Sequence, residues 1–138
     1  MWKYSFYLLV SVAVVLLLGS CAATGEVKAR LGEEFSLSIG QSASIAGENL
    51  EIRFEEVVED SRCPKNVNCI WAGRFSCIVQ ITDSDSPYRM VLTEPGLTDQ
   101  SAGEAYKEYQ LTFQVEPYPE AGKKIAADEY RLLLIVSK

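Results

Sequence analysis

The stretch LEIRFE, Leu50 to Glu55, decides the fold. Leu50, Ile52 and Phe54 alternate with Glu51, Arg53 and Glu55. Successive side chains of an extended chain point to opposite faces, so this pattern predicts a strand with one face in a core and one in water. The same period of two runs through Phe35, Leu37 and Ile39, through Phe75, Cys77, Val79 and Ile81, and through Tyr88, Met90 and Leu92. It returns in Tyr109, Leu111, Phe113 and Val115 and ends in Tyr130, Leu132, Leu134 and Val136. Leu133 and Ile135 make the second face of that last strand apolar as well, which predicts cover on both sides.

Turn residues separate these runs. Gly47-Glu48-Asn49 divides two early strands, and the segment from Asp83 to Pro87 joins two others as a hairpin. Two connections are longer: Glu94 to Lys107, and Glu116 to Asp128 with Pro117, Pro119 and Gly122. Gln100 to Lys107 is a candidate short helix that Gly103 weakens. Six or seven short antiparallel strands predict an all-β domain, either a β-sandwich or a small barrel.

The first twenty residues are of another kind. Lys3 is the one charge before an apolar run from Phe6 to Leu18, and Gly19-Ser20-Cys21 comes next. The run is shorter than the ~20 residues of a membrane-spanning helix. A basic start, a short apolar core and small closing residues describe a secretory signal peptide. Leu18-Gly19-Ser20-Cys21 resembles a bacterial lipobox, which implies cleavage before Cys21 and diacylglycerol on its sulfur. Ala22 in place of aspartate resembles outer-membrane lipoproteins if the host is Gram-negative. The expected organisation is a leader over 1–20, a tether over 21–34 and one β-rich domain over 35–138. The mature chain keeps twelve basic residues against nineteen acids, a formal charge of −7. That argues against nucleic acid and against a polybasic membrane patch.

Three further cysteines remain in an exported, disulfide-permissive chain. Cys77 falls on the inward face of its strand and is expected to be a buried free thiol. Cys63 and Cys69 bracket a turn-rich segment with Pro64 and Asn66, and pairing them closes a seven-residue loop. The chain-entropy gain of such a loop is ~2.4 kcal/mol. Cys63–Cys69 is the expected disulfide, with Cys69–Cys77 as the alternative. Thiol exchange and zinc binding fit less well, since five residues separate the pair and the chain has no histidine. Asp60 is placed to accept backbone N–H groups at the start of the loop. Arg62 is expected to pair with Asp60 or another acid, or to lie exposed. Trp71 is expected to pack over the disulfide or the core edge; the alternative is an exposed ring that stacks on a partner. Gly73 allows a bend as the next strand begins.

The pattern D-S-R-C-P-x5-C-x-W-x-G, Asp60 to Gly73, resembles the signature of a family of small bacterial exported proteins and lipoproteins with strand-rich bodies. The resemblance implies a shared fold and a shared loop, and no catalytic residues.

Without histidine there is no Ser-His-Asp or Cys-His system. Glu55, Glu56, Glu59 and Asp60 are the densest acids; a solvated strand edge explains them more simply than a glycosidase pair. Asp83-Ser84-Asp85 lacks the later glycine and glutamate of a calcium loop. No cofactor and no metal are expected. Of Tyr106, Tyr109, Tyr118 and Tyr130, the second and fourth are in phase with the core faces, so Tyr106 and Tyr118 are the candidate exposed contacts. The expected function is a non-enzymatic binding module, lipid-anchored through Cys21 in the cell envelope. Its loop Cys63–Cys69, with Arg62, Lys65 and Trp71, would meet an envelope protein or a glycan. The alternatives are an inhibitor presenting Arg62 or Lys65 to an exported protease, a carboxylate enzyme, and a structural protein with no discrete site.

Overall fold

The computed structural model describes residues 25–84, 86–96 and 101–138. The leader and Cys21 lie outside them, as does Asp85. Nine strands are described: β1 (Val27–Ala29), β2 (Glu34–Ser38), β3 (Ser42–Ile45), β4 (Leu50–Asp60), β5 (Arg74–Thr82), β6 (Pro87–Pro95), β7 (Ala102–Tyr106), β8 (Tyr109–Glu116) and β9 (Arg131–Ser137). They form two sheets, ordered β1-β3-β4-β5-β6 and β2-β9-β8-β7. All pairings are antiparallel except β1 with β3. The result is a β-sandwich.

The alternation seen in the sequence is the alternation of burial. Leu50, Ile52 and Phe54 of β4 and Phe75, Cys77, Val79 and Ile81 of β5 are buried. Facing them from the other sheet are Leu37, Leu111, Phe113, Leu132, Leu134 and Val136, in one continuous core. Fully burying such a side chain is worth about 1.5–3 kcal/mol each, so these two faces supply most of what holds the layers together. The outer face of β9 departs from the double cover expected for it. Leu133 and Ile135 are half-buried in a shallow groove with Glu34, Thr112 and Gln114, and neighbouring side chains of the same sheet are their cover.

Three strands lie where alternation was short or absent. β1 sits inside the segment read as a tether and contributes one buried residue, Ala29. β3 alternates Ala43 and Ile45 with two serines. β7 replaces the candidate helix: it pairs with β8 from Ala102↔Phe113 to Tyr106↔Tyr109. An edge strand satisfies its backbone on a neighbour and needs little apolar surface, so local propensity gave way to the ladder.

β4 carries two bulges, between Phe54 and Glu56 and between Val57 and Glu59. Each inserts a residue and swaps the face of the residues beyond it. The two together return Asp60, opposite Phe75, to the core side.

Candidate functional site at the stapled loop

The link from β4 to β5, residues 61–73, caps one end of the sandwich. Its foundation is an ion pair between a buried arginine and a half-buried aspartate. Arg62 donates from Nε to Asp60 Oδ1 and from Nη2 to Asp60 Oδ2, both at 2.8 Å. The Arg62 side chain is fully enclosed. Its remaining donors reach Val115 O at 3.2 Å and Pro117 O at 3.0 Å. The guanidinium lies 5.2 Å from the ring centroids of both Phe75 and Tyr118, a geometry in which each ring face attracts the cation. Tyr130 donates its hydroxyl to Asp60 Oδ2 at 3.0 Å. Burial disfavours the Asp60 carboxylate, but the bonds and charge of Arg62, with the Tyr130 hydroxyl, outweigh it and hold Asp60 below its ordinary pKa. Burial first, then Asp60, pushes Tyr130 up to about 12.

The clamp joins the two sheets. β7 ends its pairing at Phe113, and among the described residues no strand pairs with that edge of β8 beyond it. There Val115 gives its carbonyl to Arg62 and its N–H to Glu94 Oε2 at 2.9 Å. Glu94 comes from β6 and Arg62 from the loop after β4, and they bond backbone groups of β8 that no described strand pairs. Glu94 is 1% exposed. Burial pushes its pKa up; the Val115 N–H and the Arg62 charge oppose this, and Asp60 adds to it.

Above the clamp the loop is stapled. Cys63 and Cys69 form a disulfide with Cα atoms 5.9 Å apart, and Cys77 is free and buried. Burial first, then the charge of Glu94, raises the Cys77 thiol to about 12, so it is an inert core group at neutral pH. The Lys65 N–H donates to Pro119 O at 3.0 Å and the Cys63 N–H to Ala72 O at 3.2 Å. The Lys65 ammonium lies 5.7 Å from the Tyr118 ring centroid. Gly73 has φ +67, and a Cβ there would lie 1.7 Å from Ser61 O. Only glycine lets the two rims of the loop approach so closely.

What this scaffold presents is apolar. Ile70 is 93% exposed, Trp71 82% and Val67 43%. The expectation that Trp71 packs inward is therefore corrected. The Ala72 carbonyl and Gly73 are held against the opposite rim, which leaves the two preceding side chains outside. Arg62 is corrected in the other sense: it is enclosed by its ion pair and two aromatic rings and cannot meet a partner or a protease. Lys65 is exposed at the side of the loop. Ile70, Val67 and Glu94 were not singled out in the sequence. Ile70 beside Trp71 was the available signal, an apolar pair outside any alternating run.

The acids that looked like one cluster are dispersed. Glu55 and Glu56 pair with Arg89. Glu59 pairs with Arg74 at 2.8 Å and accepts from Ser61; these two bonds, Arg74 foremost, lower its pKa. Tyr106, expected at the surface, is buried, and gives its hydroxyl to Asp83 at 2.8 Å; Lys107 also pairs with Asp83. Tyr118 is half-buried with its hydroxyl on Gly96 O at 2.7 Å.

The fold and site together define a β-sandwich with a clamped, disulfide-stapled loop that carries an apolar tip. No family model, curated protein or solved structure matches the chain.

Proposed function

We propose that this is a non-enzymatic contact module of a bacterial cell envelope, lipid-anchored through Cys21, whose working surface is the tip of the stapled loop. The observation that carries the reading is the exposure of Ile70 and Trp71, adjacent on a loop whose base is fixed by the Asp60–Arg62 pair and the Cys63–Cys69 bond. Large apolar side chains left in water on a rigid support mark a surface that is covered in use. A constrained loop also loses less entropy when it is covered. The resemblance of Asp60 to Gly73 to small exported proteins agrees with this reading and names no activity. Against carboxylate chemistry stands the position of Glu94. Burial holds its pKa above the ordinary value, but it is enclosed and already engaged by the Val115 N–H.

Hydroxyl-radical footprinting tests the reading. Trp71 should oxidise readily in the purified protein and be shielded in intact envelopes. Equal oxidation in both would remove the tip as a contact surface.

A further inference from the structure

We infer that the tip rests on a lipid surface: Ile70, Trp71 and Val67 enter the membrane interface, and the sandwich stands on the bilayer by its loop end. The inference builds on the proposed lipid at Cys21.

The first argument is reach. Gln41 Nε2 donates to Gly25 O at 3.0 Å, and the Phe54 N–H donates to Gln41 O at 3.1 Å, so Gly25 lies near the level of Phe54. β1 runs parallel to β3, toward the turn before Leu50 and away from Asp60. The N-terminal side of β1 thus faces the loop end. Four residue steps lead from Cys21 to Gly25, a reach of about 14 Å at most. Across its two bulges Phe54 to Asp60 advances only as far as Val79 to Phe75 on β5, about 13 Å of strand, so a fully extended tether brings Cys21 to about the level of Asp60, with the loop beyond. A lipid on Cys21 therefore sits too close to the body for the loop end to clear the bilayer when that end points toward it.

The second argument is chemistry. From Ser61 to Gly73 there is no acid, on a chain with nineteen. The charge exposed on the loop is Lys65, with Arg74 next at the base of β5. A tryptophan beside aliphatic residues, with a lysine able to reach headgroup phosphates, is the composition that settles at a membrane–water interface. Ile70 is aliphatic and almost wholly in water, which suits an acyl chain better than a sugar ring. The tip adds orientation, because acyl chains on Cys21 already give retention.

The test uses the processed, acylated chain that begins at Cys21, in which Trp71 is the one tryptophan because Trp2 goes with the leader. It is reconstituted in vesicles of phosphatidylethanolamine and phosphatidylglycerol, with plain or brominated acyl chains. Brominated lipid should quench Trp71 by roughly half or more, as for a tryptophan at the interface, and aqueous iodide should quench it less than in the lipid-free chain. Ile70→Ser should weaken both effects. Trp71 open to iodide and untouched by brominated lipid would overturn the inference. So would shielding from iodide that appears only when envelope protein or peptidoglycan fragments are added. Acylation of Cys21 is read separately by mass, so a failed anchor and an unseated tip are distinguishable.

Discussion

Asp60 and Arg62 stand two residues apart and meet in a two-pronged ion pair at 2.8 Å on both contacts, with the arginine wholly enclosed. Arg62, which the sequence alone offered to a partner, is thus turned inward onto Asp60. Their partners, Val115, Pro117 and Tyr130, lie 53, 55 and 70 residues away in the chain. The pair holds the end of one sheet to the other and sets the base on which the loop stands.

Removing one partner leaves the other buried and uncompensated. Asp60→Asn and Arg62→Met should each cost about 3–5 kcal/mol in urea denaturation. The double variant should cost less than the sum, with a coupling of roughly 1–3 kcal/mol. Strict additivity would show that the two charges do not act as a pair.

Two acids of the clamp, Asp60 half-buried and Glu94 buried, give opposite pH dependences. Asp60 is lowered from 3.8, so its contribution is full above that value and is lost as pH falls toward its folded pKa. Glu94 is raised from 4.5, so its contribution is full below 4.5 and is lost as pH rises through its folded pKa. Glu94→Gln should therefore gain on the wild type as pH rises from below 4.5 to neutrality, measured by denaturant midpoints. A constant difference across that range would contradict the assignment.

Gly73→Ala should be among the most damaging single changes in the chain. It places a Cβ 1.7 Å from Ser61 O at φ +67. The left-handed backbone alone costs about 1–2 kcal/mol for an L side chain, and the collision adds to it. Thermal unfolding of the variant checks this; a midpoint within a few degrees of wild type would show that the rims separate freely.

Cys77 should resist alkylation at pH 8 in the folded protein and react on denaturation, followed in its own peptide by mass. Its thiol is buried and raised to about 12. Prompt native reaction would place it near solvent and reopen thiol chemistry.

The parts of this molecule that come from period two were legible in its sequence. Phe75, Cys77, Val79 and Ile81 announced β5, and the position of Cys77 in that run announced its burial. Cys63–Cys69 followed from loop closure. The hidden parts depended on distant partners. β7 has one buried residue, Tyr106, and is held by its ladder. Arg62 is buried because Val115 and Pro117 offer carbonyls that no local pattern reveals. Trp71 is exposed because Gly73 closes the loop behind it, a consequence of backbone geometry that composition does not carry.

The most direct measurement places a photo-cross-linking side chain at Asn68, beside the tip, and at Glu104, an exposed residue of β7, in cells that carry the protein in their envelope. Adducts from position 68 that are absent from position 104 and lost with Ile70→Ser and Trp71→Ser are the expected result. No adduct at 68, or the same adducts from both positions, would contradict the assignment of the loop tip as the surface this protein works through.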